Sequence, residues 1–93
     1  MPDPVHLSAA HRDTLATIFR HPTSHNIEWH DVLSLLEAVG SVKERHDRKY
    51  LVTVGTVTEV IERPRHKDID TDEVANLRRL LSQAGYGDQT EGT

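Results

Sequence analysis

The sequence predicts an α+β domain: a leading helix followed by an α-β-β-β-α unit with antiparallel strands. Three observations predict it. Apolar residues recur at helical spacing on both sides of a central stretch, Val42 to Ile61, that is rich in Val, Thr and Ile. Both long helical patterns run into a glycine, Gly40 and Gly85. Turn-forming residues divide the central stretch into short strands, leaving the order helix, strand, strand, strand, helix.

The elements follow in order. Met1 to Leu7, with two prolines, reads as a loose arm. Ser8 is placed to cap a first helix, His11 to about Arg20, with Leu15, Ile18 and Phe19 on its inner face. His21-Pro22 ends it, because the residue before proline avoids the helical region. In the second helix, Ile27 to Gly40, the residues Trp29, Val32, Leu33, Leu36 and Val39 form one apolar stripe. Gly40 is expected to close it in a left-handed conformation.

Within Lys49 to Val54, the residues Tyr50, Val52 and Val54 alternate with Lys49, Leu51 and Thr53, so one face can be buried. Gly55-Thr56 has glycine first, the type II′ hairpin pattern. Asp47-Arg48 is the candidate for the preceding turn and would set His46 opposite Lys49. Pro64 cannot donate to a ladder, so the third strand should stop near Arg63. Asp70 with Glu73 three residues later opens the last helix, Thr71 to Gly85. Its inner stripe is Val74, Leu77, Leu81 and Ala84, assisted by Leu80. Gly87 to Thr93 is a polar tail expected to be flexible.

The 93 residues fit one domain, with an ordered core expected at about 8–86. With no cysteine, the chain has no disulfide and no cysteine-based zinc or redox chemistry. It shows no charged start followed by an apolar run, and no apolar stretch near the ~20 residues of a membrane span. A soluble, cytoplasmic protein is the expectation. The net charge of −4 is unevenly spread. Ser41 to Lys67 holds seven Lys/Arg (Lys43, Arg45, Arg48, Lys49, Arg63, Arg65, Lys67) against four acids, a balance of +3. The remainder holds four against eleven, a balance of −7. An acidic body with a basic sheet can orient a charged partner, and it also keeps a small sheet soluble.

Seven histidines raise the question of a metal. His21, His25 and His30 are the nearest set, but Pro22 interrupts any single helix through them and no His-Glu-x-x-His occurs. Neither a metal nor a cofactor is expected. There is also no glycine-rich phosphate loop.

The run Val32-Leu33-Ser34-Leu35-Leu36-Glu37-Ala38-Val39-Gly40, a strand pair, Arg63-Pro64-Arg65-His66, then Leu77-Arg78-Arg79-Leu80-Leu81-Ser82-Gln83-Ala84-Gly85, resembles the HicA toxin family over roughly residues 27–86. The leading helix lies outside it. The resemblance implies a fold like the double-stranded-RNA-binding domain, with two helices packed on one face of a three-stranded antiparallel sheet. It further implies a metal-independent mRNA interferase restrained by a HicB-type antitoxin. In the family a histidine in a Gly-Ser/Thr-His motif at the start of the second strand carries cleavage, by removing the ribose 2′-hydroxyl proton so that the oxygen attacks the adjacent phosphate. Imidazole suits that task because it titrates near neutrality.

Here Asp47-Arg48-Lys49 stands where that motif is expected, so Lys49 replaces the histidine. Across the candidate turn, His46 is the imidazole that could serve as base, with Lys49, Arg48 or Arg45 steadying the phosphate. Lys43, Arg45, Arg48, Arg63, Arg65, His66 and Lys67 are the candidate RNA contacts. Two functional classes follow: an mRNA endoribonuclease using His46 and Lys49, or a noncatalytic module that binds nucleic acid or protein. A homo-oligomer, or a sheet edge that receives another strand, is a third expectation.

Overall fold

The computed structural model describes residues 7–24 and 26–86. The expectations for the N-terminal arm up to His6, for His25 and for the tail from Gly87 lie outside them. Three helices, α1 (Ala9–Ile18), α2 (Trp29–Val39) and α3 (Thr71–Leu81), accompany three strands, β1 (Ser41–Glu44), β2 (Lys49–Val54) and β3 (Val57–Glu62). The architecture is α+β, with an open antiparallel sheet ordered β1-β2-β3.

The first and last helices begin where a side chain supplies a cap, whereas Glu28, at the start of α2, supplies none. Ser8 accepts from the His11 N–H at 3.1 Å, and Asp70 Oδ1 accepts from the Glu73 N–H at 2.9 Å. The inner stripes meet over the sheet. Val32, Leu35 and Leu36 of α2 and Val74, Leu77 and Leu81 of α3 are fully buried with Val52 and Val54 of β2. Trp29 and Tyr50 pack with tilted rings, 5.3 Å between centroids, joining the start of α2 to the middle strand. The alternation in β2 holds: Tyr50, Val52 and Val54 are buried, whereas Lys49, Leu51 and Thr53 lie on the other face. Leu35 is an addition to the expected α2 stripe. It is fully buried and Leu33 only partly so, because α1 packs against α2 and widens the covered arc.

Two side chains fasten α1. Arg78 of α3 reaches over its C-terminus, donating from Nε to the Ile18 carbonyl at 2.7 Å. Its Nη2 donates to the Arg20 carbonyl at 2.9 Å and to Thr23 Oγ1 at 3.0 Å. His11 Nε2 and Ser34 Oγ lie 2.8 Å apart between α1 and α2. A cation over the last carbonyls of a helix meets their unsatisfied lone pairs and the negative end of the dipole.

The turns fall at the expected places. Gly55 has φ +63° and Thr56 does not share the positive φ, the II′ arrangement, closed by the Val54–Val57 pair. Gly40 differs from the expectation. Its φ is −163°, which is extended backbone. It is required instead by close approach: a Cβ there would sit 2.0 Å from the Thr53 carbonyl oxygen of β2. The chain therefore steps from α2 straight into β1 against the backbone of its neighbour. After β3, residues 63–70 are tied back to the start of α2 by a Glu28–Asp68 bridge, with the Trp29 N–H on the Lys67 carbonyl at 2.8 Å.

Candidate functional site

The first hairpin turn carries the residues expected to matter most. Asp47 and Arg48 both have φ +63°, the signature of a type I′ turn, and the Lys49 N–H donates to the His46 carbonyl. The Arg45 N–H also donates to the Lys49 carbonyl at 2.7 Å. Arg45 and His46 together thus oppose Lys49 in a bulge, and His46 lies at the turn rather than squarely across from Lys49. In register, Lys49 pairs with Glu62 of β3. Both His46 and Lys49 are exposed. Among the described residues, no hydrogen bond to another side chain orients either group.

Four of the candidate RNA contacts converge elsewhere. Arg48 from the turn, and Arg63, Arg65 and His66 from the segment after β3, line a surface cleft of about 340 Å³ at one end of the sheet. The chain folds this way because the ladder continues past β3: the Arg63 N–H donates to the Arg48 carbonyl at 2.8 Å. Arg48 Nη2 in turn donates to the Arg63 carbonyl at 3.3 Å. Pro64, which cannot extend the ladder, then turns Arg65 and His66 around the rim.

The same cleft has an acidic wall that the sequence reading did not assign to it. Glu62, Asp68, Asp70 and Glu73 line it beside Ile69. Burial raises the pKa of the Glu73 carboxyl above its ordinary 4.5, and the neighbouring charges of Asp70, Glu59 and Glu62 raise it further. A signal was available: Asp70 and Glu73 are the capping pair of α3, and Glu62 sits directly before the basic run. The structure leaves the other candidates apart. Lys43 lies in the row Lys43–Leu51–Val60 on the sheet face away from the helices, and Lys67 approaches Glu28 at 3.8 Å as an exposed ion pair.

Chemically, the cleft brings three guanidiniums and one imidazole together with four carboxylates. That mixture can hold an anionic group at the guanidiniums while the carboxylates disfavour a second one beside it. Among the described residues no group of three or more His, Asp or Glu side chains is arranged to hold a metal ion. No described helix is long and apolar enough to cross a membrane. No family model, curated protein or solved structure matches this chain.

Proposed function

We propose that this protein is a HicA-like, toxin-derived RNA-binding module of the cytoplasm, which holds RNA without cutting it. The observation that carries the reading is the gathering of Arg48, Arg63, Arg65 and His66 around one cleft at the end of an antiparallel sheet. Guanidinium groups fit phosphate oxygens in bidentate fashion, and three of them along one wall can follow a single strand. The order α2-β1-β2-β3-α3 supports the reading, because it is the arrangement that the HicA resemblance implies, on a scaffold like the double-stranded-RNA-binding domain. A HicB-like protein is the partner the same resemblance implies.

The noncatalytic form is favoured by the position of the imidazole. Lys49 stands where the family has its histidine, and His46 is an exposed turn residue outside the cleft. A general base works when a neighbour fixes its ring within reach of the proton it removes. Fluorescence anisotropy with single-stranded RNA, titrated with salt, tests the proposal. Each phosphate neutralised contributes a slope of about −0.7 in log K against log salt. Arg63→Ala with Arg65→Ala should lower that slope by roughly 1.4 while the fold persists by circular dichroism. RNA that fails to bind at low salt, or binds the double variant equally well, would overturn the proposal. Incubation with labelled mRNA and no metal should leave it intact. Cleavage abolished by His46→Ala would establish the enzyme instead.

A further inference from the structure

β3 is an edge strand, and its free side is better suited to pairing than that of β1. The hydrogen-bond parity is fixed by the Val54–Val57 pair that closes the two-residue turn, and by the Arg63 N–H on the Arg48 carbonyl. Val57, Glu59, Ile61 and Arg63 thus bond to β2. Thr58, Val60 and Glu62 direct their N–H and C=O groups away from the sheet. All three are exposed, and Val60, at 56% exposure, is the exposed large hydrophobic residue among those described. Natural edges are blunted by lysine, proline, bulges or brevity. β1 is only four residues long and carries Lys43. β3 has six residues, with neither lysine nor proline between Val57 and Glu62.

We propose that the outer edge of β3 is a homodimerisation surface, pairing antiparallel with β3 of a second copy about a twofold axis at Val60. This goes beyond RNA binding and does not depend on it. The partner is a second copy because the edge complements itself. With Val60 opposite its mate, Thr58 lies opposite Glu62 at both ends, so every free N–H and C=O of the strand is used. Shifting the axis toward Glu62 sets the two Glu62 side chains against each other, and shifting it toward Thr58 leaves Glu62 without a strand partner. On the helix side, Glu59 opposes Ile61 and becomes diagonal to Arg63 of the second copy. The two Glu59–Arg63 pairs offset the repulsion between the two Glu59 groups, which are also diagonal neighbours. They also bring further cations to the acidic patch of Glu59, Glu62, Asp70 and Glu73. The product is a continuous six-stranded sheet, β1-β2-β3-β3-β2-β1, an isologous assembly.

Because the chain has no cysteine, single substitutions can read the register directly. A hydrogen-bonded antiparallel pair has Cα atoms about 5.5 Å apart, inside the span of a disulfide. Val60→Cys should therefore form a covalent dimer on mild oxidation. Thr58→Cys should not, since its mate is displaced by four residues, or about 13 Å along the strand. Sedimentation of the unaltered full chain between ~5 and ~500 μM should show mass rising from 10.5 kDa toward twice that value. Val60→Glu should hold it at the monomer mass with unchanged circular dichroism. A monomer throughout that range would overturn the proposal. So would Thr58→Cys crosslinking as fast as Val60→Cys, or dimerisation that survives Val60→Glu.

Discussion

Arg78→Met should release the leading helix from the rest of the domain. The substitution keeps most of the aliphatic stem and removes the guanidinium that holds the Ile18 carbonyl, the Arg20 carbonyl and Thr23 Oγ1 at 2.7, 2.9 and 3.0 Å. Hydrogen bonds from a charged donor contribute about 1.5–3 kcal/mol each when buried. The bonds to Ile18 and Thr23 are partly buried, whereas that to Arg20 is exposed and counts for less. Shared donors are not additive, so a total of about 2–4 kcal/mol follows. For a domain of this size that is a fall in Tm of roughly 10–25 °C. Hydrogen exchange by mass spectrometry locates the effect. Amides of α1 should lose protection before those of β2, because α1 is then held to its neighbours by the packing of Leu15, Ile18 and the adjoining Phe19 and by the His11–Ser34 contact, without the bonds over its C-terminus. Arg78→Lys should recover only part of the loss, since an ammonium lacks the fork that reaches two carbonyls. A variant whose Tm falls by less than 1 °C, with α1 protection unchanged, would refute the reasoning.

Further expectations concern the connections and the cleft. Gly40→Ala forces a Cβ onto the Thr53 carbonyl oxygen and should cost about 1–3 kcal/mol, read by urea unfolding; a neutral outcome would show that β1 can shift away. Arg48→Gly removes a side chain from a residue at φ +63° and should raise the Tm by a few degrees despite the lost 3.3 Å bond, as calorimetry can check. For Glu73 the folded pKa lies above the unfolded 4.5, so the folded state binds more protons. Its contribution is complete below pH 4.5 and is lost as pH rises through the folded value. Glu73→Gln should accordingly raise the Tm at pH 7 and leave it nearly unchanged below pH 4.5, in paired melts across pH.

The order of the elements was legible because periodicity reports burial directly. Tyr50, Val52 and Val54 alternate in the sequence and are buried in the fold, and Ser8 and Asp70 cap the helices they were expected to cap. What required the structure was information held between segments. Gly40 satisfies a turn rule by its place after Val39, yet the atom that excludes a side chain there belongs to Thr53, thirteen residues away. Leu35 looked peripheral on α2 because a single-stripe reading assumes one packing partner, and α1 supplies a second. Half of the cleft could be read because Arg63, Arg65 and His66 are nearly contiguous. Arg48 joins them only through the β2–β3 ladder, and the acidic wall only through the return of the chain to α3.

That acidic wall changes what kind of binding the cleft supports. Nonspecific affinity for nucleic acid grows with the number of phosphates neutralised, and a site with carboxylates among its guanidiniums neutralises few. The rest of the chain outside Ser41 to Lys67 carries −7, which repels polyanions at long range. A strand could sit along Arg48, Arg63 and Arg65 only if its bases, not its phosphates, faced Asp68, Asp70 and Glu73. Carboxylates accept hydrogen bonds from amino groups and reject bare acceptors, so the arrangement selects by base edge as well as by charge. On the proposed RNA-binding function, Asp68→Asn with Asp70→Asn should therefore strengthen binding while blunting discrimination between RNA sequences. Parallel anisotropy titrations with homopolymers read both effects. Equal gains for every homopolymer would show that the wall only repels and does not select.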